Sequence, residues 1–355
     1  MDTVKVKKET KNKIKVDFER APLSVRLKQK FFSFNFLKNV VFKIFRFILL
    51  IGITFVILYP YISKIFKSIM SVSDMKDATV VLITKAPTIN QYWYILTENG
   101  YLKAFITTFL VSLSMALIQT LVCALVAYGL AKFKFKGNSI IFAFVILTLM
   151  VPQEALKHSM ASFFRQITMI ETTMNPISLV LELIQKWTGV FENGYGFTNS
   201  LIPMYVLSVF GLGFKNGLFI FMLRQFFKGV PDELEESAFV DGSSTLRTFF
   251  SIILPISIPM LITVFIFAFS WQWTDDFYTK IFFSDQSKYT FMIAIDRVPE
   301  TIDELMKYEA GPIREAYKAA LSGTASILIA LPLIIMYVFL QRRIVEGVER
   351  SGIVG

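Results

Sequence analysis

The stretch PDELEESAFVDGSSTLRTFFSIILP, residues 231–255, decides how the rest of the chain is read. Pro231 can open a helix at its first turn, and the acidic run of Asp232, Glu233, Glu235 and Glu236 suits the positive end of a helix dipole. Leu234, Ala238 and Phe239 share one face of that helix, while Glu235 and Glu236 point elsewhere. Gly242 lets the backbone leave the helix. The apolar run at 249–254 then meets Pro255 and Pro259, which start or kink a further apolar segment. The pattern predicts a short helix–turn–helix lying along a membrane face, open to a partner.

Both flanks of this loop are long and apolar. Uncharged stretches at 47–63, 105–130, 248–274 and 319–341, with 201–223 broken only by Lys215, approach or exceed the roughly 20 residues a helix needs to cross a bilayer core. The first ends in Tyr59-Pro60-Tyr61, an aromatic pattern suited to the interface. A shorter uncharged stretch at 137–153, closed by Pro152, is the sixth candidate. Composition agrees: 54% of the 355 residues are hydrophobic and 18% charged, against roughly 45–50% and 25% in soluble domains. A single cysteine, Cys123, excludes an intrachain disulfide, and a single histidine, His158, excludes a histidine-rich metal site. No metal is expected. The predicted fold is an all-α polytopic membrane protein with six transmembrane helices.

Charge sets the orientation. Basic residues outnumber acidic ones by 37 to 27, and residues 1–46 alone hold 13 basic and 4 acidic residues. Such an arm could bind nucleic acid, but it runs directly into an apolar span and reads as a topology signal, so no nucleic-acid partner is expected. The apolar core after it starts near Phe47, too late for a secretory signal peptide. Six spans place both termini on one side. The basic loops near 131–138 and 226–247 fall there too, with Arg342 and Arg343, and the positive-inside rule makes that side cytoplasmic. The expected organisation is a basic cytoplasmic arm at 1–46, a transmembrane domain at 47–341 and a cytoplasmic tail at 342–355. External segments lie at 67–103, 158–200 and 275–318, with helices expected behind Asn175-Pro176, over 177–191, and at 300–318.

The spacing Glu236-Ser237-Ala238, three residues, Gly242, nine residues, Ile252, one residue, Leu254-Pro255 resembles the EAA loop of ABC importer permeases. Asp241-Gly242 is the form found in the carbohydrate branch, and Ser237 departs from the usual Ala. The flanks are similar to the maltose-type permease with six spans. They include Ala127-Tyr128-Gly129-Leu130-Ala131-Lys132-Phe133, Arg224-Gln225-Phe226-Phe227 and the tail 347–355, where Val354 stands in place of the usual Lys. The resemblance covers most of the chain beyond residue 45. It implies the type I ABC importer permease fold, multi-pass in a prokaryotic plasma membrane, and a permease subunit for sugars or oligosaccharides that forms half of a heterodimeric pathway. The implied partners are a second homologous permease, two cytoplasmic ATPase subunits, an external solute-binding protein, bilayer lipid and a carbohydrate substrate. Leu234, Glu235, Glu236, Ser237, Ala238, Asp241, Gly242, Leu254 and Pro255 would couple to the ATPase subunits, which use ATP and Mg. The chain contains no Gly-Lys pair and hence no phosphate-cradling G-x-x-x-x-G-K-[ST] loop, so no catalytic residue and no cofactor of its own is expected.

Charged and amide side chains at membrane depth are costly and tend to face a cavity. Lys215 with Asn216 is the clearest case. Lys215 could donate hydrogen bonds to sugar hydroxyls, pair with an acidic sugar, pair with another subunit or snorkel. Gln153, Glu154 and His158 follow Pro152, and the spacing of Glu154 and His158 suits an ion pair or a proton relay. Trp271, Gln272, Trp273 and Asp275 combine aromatic faces with hydrogen-bonding groups, as sugar sites do; an interfacial Trp belt with an acidic turn is the other reading. A rival class is a membrane-embedded enzyme acting on lipid-linked glycan, with Glu154, His158, Asp275 and Asp276 as acid–base groups. A third reading keeps the transport machinery and exchanges the sugar for another solute.

Overall fold

The computed structural model describes residues 4–9, 15–20, 34–98, 100–171, 200–213, 215–283, 306–307, 309 and 311–350. Two units divide the chain, 1–66 and 67–355. The expected helix at 177–191, residues 300–305, 308 and 310 of the one at 300–318, and the tail beyond 350 lie outside the described residues, while 311–318 are helical.

In the first unit, β1 (Val4–Glu9) pairs antiparallel with β2 (Lys15–Arg20). This hairpin corrects the all-α expectation: the protein is nearly all-helical, with a small sheet in the arm. The register sets Lys5 opposite Glu19, Lys7 opposite Asp17 and Glu9 opposite Lys15, and opposite charges across strands favour that pairing. Helix α1 (Phe34–Ser68) follows, and none of its apolar window is buried in the protein.

The second unit starts with two short helices, α2 (Val72–Lys76) and α3 (Asn90–Thr97), and the long α4 (Tyr101–Lys132). Next come α5 (Asn138–Met150), α6 (Gln153–Glu171), α7 (Ile202–Val209) and α8 (Asn216–Lys228). The loop read first from sequence forms α9 (Glu233–Val240) and α10 (Thr245–Ile256), the latter containing a π-turn at Phe249–Ile253. Helices α11 (Ile258–Trp273), α12 (Phe277–Phe282) and α13 (Gly311–Arg350) complete the order.

Small residues on α4 let its neighbours approach: Ala104, Ala116, Ala124 and Ala127 are fully buried. Helices α8 and α11 pack on α4, with Phe219 and Leu223 of α8 and Met260 and Val264 of α11 in the same core, and Leu321 and Ala325 of α13 join that core beside α11. Helices in lipid associate through close packing of small residues, because the apolar solvent offers no hydrophobic drive between them. Polar ties close both ends of the bundle. At one end the Gln91 amide donates to the Met70 carbonyl at 2.9 Å and accepts from Thr324 at 3.0 Å, and Lys76 pairs with Glu309 at 2.9 Å. At the other end Lys132 meets the start of the 231–255 loop.

Among the described residues three helices are long and apolar enough to cross a membrane: 38–68, 101–132 and 311–342. Two more crossings follow if each bent pair is one span: α5–α6 turns by 103° and α10–α11 by 82°. The prolines explain the bends, since Pro152 and Pro259 each deny the preceding turn a backbone hydrogen bond. Two expected spans are therefore not simple rods. The stretch at 201–223 is not continuous either; it stops at Val209 and restarts at Asn216.

Candidate functional site

The 231–255 loop is held to the bundle at two points, and a third contact ties α8 to α4 and α5 beside it. The Lys132 ammonium, only 6% exposed, donates to the Val230 carbonyl at 2.6 Å and to the Asp232 carboxylate at 2.5 Å. That ammonium holds the Asp232 carboxyl below the usual carboxylate range, first through the hydrogen bond and then through its charge. Phe249 of the π-turn is buried with its ring 4.9 Å from that of Tyr128 on α4. The Arg224 guanidinium of α8 lies 3.7 Å from the Phe142 ring centroid and donates to the Leu130 carbonyl at 3.2 Å.

Helix α9 ends in a Schellman turn. Gly242 has φ +78°, its N–H donates to the Phe239 carbonyl at 3.0 Å, and the Ser243 N–H donates to the Ala238 carbonyl at 2.9 Å. The sequence reading of Gly242 thus acquires a geometry. The reading of the helix faces does not hold. Glu235 is buried with Ala238, three residues on, while Leu234 and Phe239 are exposed. Val240 is 87% exposed, and Leu246 and Phe250 join it at the surface. Glu236, Ser237, Asp241 and Gly242 are exposed, Pro255 is exposed and Leu254 is half-buried. Helix α9 thus turns Leu234, Phe239 and Val240 outward beside its exposed carboxylates, and of its carboxylates only Glu235 inward.

The second candidate region is the gap between α7 and α8. Gly211 and Lys215 both take left-handed backbone, with φ of +72° and +58°. Lys215 is the non-glycine residue that does so among those described, at a cost of roughly 1–2 kcal/mol. The break touches α4 near its middle: the Gln119 amide donates to the Ser208 hydroxyl at 3.1 Å, and the Cys123 thiol points to the Asn216 carbonyl at 3.8 Å. Asn216 is 1% exposed, and neither end of its side-chain amide finds a hydrogen-bond partner. Gly217 permits a close crossing with α5, since a Cβ there would overlap the Thr148 hydroxyl and stand 3.0 Å from the Val145 carbonyl oxygen.

A cavity of about 440 Å³ opens between this break and the α5–α6 bend. Gln153, Lys215 and Asn216 line it, so three of the eight pathway residues expected from sequence converge there. Phe163, Phe164, Phe277 and Tyr278 supply aromatic faces. The remaining five are elsewhere. Glu154 and His158 are exposed, and no hydrogen bond or ion pair joins them. Trp271 packs on Phe219 and Phe267, with ring centroids 5.8 and 5.9 Å apart. Gln272 is buried, and the Trp273 indole N–H donates to the Ile329 carbonyl at 3.0 Å, tying α11 to α13. Asp275 caps α12 by accepting from the Tyr278 and Thr279 N–H groups, both at 3.1 Å. Burial raises its carboxyl to about 6 against the pull of those hydrogen bonds. The sequence reading does not anticipate Ser159 or the aromatic lining, because it sets 158–200 and 275–318 outside the spans; the Met160-Phe163-Phe164 spacing is the available signal.

Three helices among the described residues that are long and apolar enough to cross a bilayer, with a helix–turn–helix exposed at one end, fit an integral membrane protein. Residues 120–350 match the family of the binding-protein-dependent transport system inner membrane component, and the chain belongs to that family. It is a multi-pass protein of the plasma membrane. It is 26% identical over 296 residues to the putative ABC transporter permease protein ORF2 of Caldicellulosiruptor sp. (strain Rt8B.4), covering 83% of this chain and 91% of that one. It is 24% identical over 306 residues to the arabinooligosaccharides transport system permease protein AraQ of Halalkalibacterium halodurans, with 85% and 93% covered. A bacterial ABC transporter involved in the import of the acidic polysaccharide alginate has a similar fold, with a TM-score of 0.62 at 17% identity over 86% of this chain and 97% of that chain.

Proposed function

We propose that this chain is a permease subunit of an ATP-driven importer of sugars or oligosaccharides, and that it forms half of a translocation pathway completed by a second homologous permease. Two cytoplasmic ATPase subunits bind ATP and Mg, an external solute-binding protein delivers the substrate, and this chain binds no nucleotide. Relatives that carry oligosaccharides support the substrate class. Six crossings with both termini cytoplasmic follow if α5–α6, α7–α8 and α10–α11 are each one broken span.

The observation that carries the reading is the exposed apolar surface of α9 and α10, fixed to α4 by Lys132 and by Phe249 against Tyr128. An ATPase seated on Leu234, Phe239, Val240 and Leu246 pushes on α4 and α8 when its pair closes. Rigid coupling matters here, because an anchor that yielded would absorb the stroke. The lipid-linked glycan enzyme is disfavoured by placement: Glu154 and His158 stay unpaired, Asp275 is spent on a helix cap, and Asp276 is bound to Lys280.

The test is purification from native membranes of the intact chain and of Glu236→Ala and Gly242→Pro variants, with partners identified by mass and assayed for ATPase activity. An ATPase and a second permease are expected with the intact chain, and are lost or uncoupled in the variants. A stable chain that captures no ATPase would sink the proposal.

A further inference from the structure

We propose that the cavity at the α7–α8 break takes an anionic saccharide unit, with Lys215 as its counter-charge. This deepens the importer reading and rests on it, since a cavity without transport needs no selectivity of this kind. Four observations point the same way. Lys215 lines the cavity half-buried, and its ammonium meets no hydrogen-bond or ion-pair partner among the described residues. The other polar lining residues, Thr148, Gln153, Ser159 and Asn216, are neutral, and no carboxylate lines the cavity among the described residues. The break stands level with the middle of α4, where an ammonium far from both headgroup layers needs a compensating charge or water. Asn216 borders the same space 99% buried with its amide unpartnered, a donor and an acceptor held ready for hydroxyls.

The backbone adds a reason to read Lys215 as placed rather than tolerated. A lysine in left-handed conformation is disfavoured where glycine or asparagine would sit freely, and such strain persists where the side chain has a task. The space also suits one or two sugar rings: about 440 Å³ falls within the range of small-molecule sites, and aromatic faces can stack on the apolar side of a pyranose. A carboxylate and an ester sulfate present the same charge to an ammonium, so the shared chemistry is a negatively charged sugar.

The experiment uses the assembled complex with its solute-binding protein in proteoliposomes. Saccharide-stimulated ATPase activity is measured for neutral, uronate-containing and sulfated oligosaccharides of matched length. Lys215→Asn removes the charge while suiting the left-handed backbone, so misfolding does not mimic the effect, and Lys215→Arg restores the charge. The wild-type complex should respond to at least one anionic set at a concentration tenfold or more below that for neutral saccharides. Lys215→Asn should abolish that preference, and Lys215→Arg should keep most of it. A wild-type complex that responds to neutral saccharides equally or exclusively overturns the proposal while leaving the importer intact. So does a Lys215→Asn variant that keeps the anionic preference, or one that loses the second permease, which would make Lys215 an intersubunit partner. Failure to recover any ATPase strikes the importer reading itself.

Discussion

Helix α4 and the first 32 residues of α13 have the same length, and the apolar window of each has the same mean hydropathy of 2.3, yet 44% of one window is buried inside the protein and 22% of the other. The difference lies in which apolar residues each uses. Along α4 the buried face carries alanines with Thr108, Ser112, Gln119 and Thr120, small or hydrogen-bonding groups that admit neighbouring backbones. In α13 such residues, Ala320, Thr324 and Ala325, are confined to the first half, and Ile334, Ile335, Val338 and Phe339 of the second half are exposed. Mean hydropathy thus reports that a helix meets lipid, whereas small and hydroxyl residues report which side meets protein.

A matched pair of substitutions should break or sharpen this contrast. Ala124→Phe forces a ring into a fully buried position on α4 and should cost about 3 kcal/mol. Ile335→Phe, on the exposed side of α13, should stay within about 0.5 kcal/mol. Thermal midpoints of the detergent-solubilised chain give the comparison. Equal losses would mean that the two helices are packed alike and that their composition says nothing about the bundle interior.

The crossing of α8 with α5 offers a sharper version. Gly217→Ala should cost about 1–3 kcal/mol, because the new methyl meets the Thr148 hydroxyl and the Val145 carbonyl. Adding Thr148→Ala removes the first obstacle and leaves the second, so the double variant should recover part of the loss in the same thermal assay. No recovery would place the strain in the backbone contact alone. Trp273→Phe should cost about 1 kcal/mol for the lost hydrogen bond to the Ile329 carbonyl, with a further cost for the smaller ring where it packs on Phe105 of α4. Protection of α13 amides from hydrogen exchange should fall more than that of α4.

How far the sequence carried can be judged on the same helices. The apolar stretch at 105–130 anticipates α4 to within a turn at each end, and Gly242 announces the end of α9 because a left-handed C-terminal position favours glycine. Pro152 and Pro259 were visible, but a proline marks a bend without stating its angle. Burial of Glu235, the hydrogen bond from Trp273 to Ile329 and the joining of Gln153 to Lys215 were not legible. Each depends on partners dozens of residues away that only packing brings near. Lys215 is the instructive miss: its charge suggested a pathway, whereas its backbone gives no local sign of the left-handed turn it makes.

The smallest effect on stability should come from apolar residues exposed outside the spans, and it separates the two kinds of exposure that hydropathy confuses. Phe339 of α13 and Val240 of α9 are 79% and 87% exposed, and both look like lipid-facing positions by residue type. Val240, however, immediately precedes Asp241-Gly242 in a loop anchored beside Lys132, among carboxylates that lipid tails would reject. Val240→Asn should therefore leave the thermal midpoint within about 0.5 kcal/mol of the parent while weakening capture of the ATPase from native membranes. Phe339→Asn should do the reverse, lowering insertion or yield without altering the ATPase captured per chain. If Val240→Asn, combined with Leu246→Asn, left capture unchanged, the apolar face of α9 and α10 would have no protein partner, and the coupling role assigned to it would fall with it.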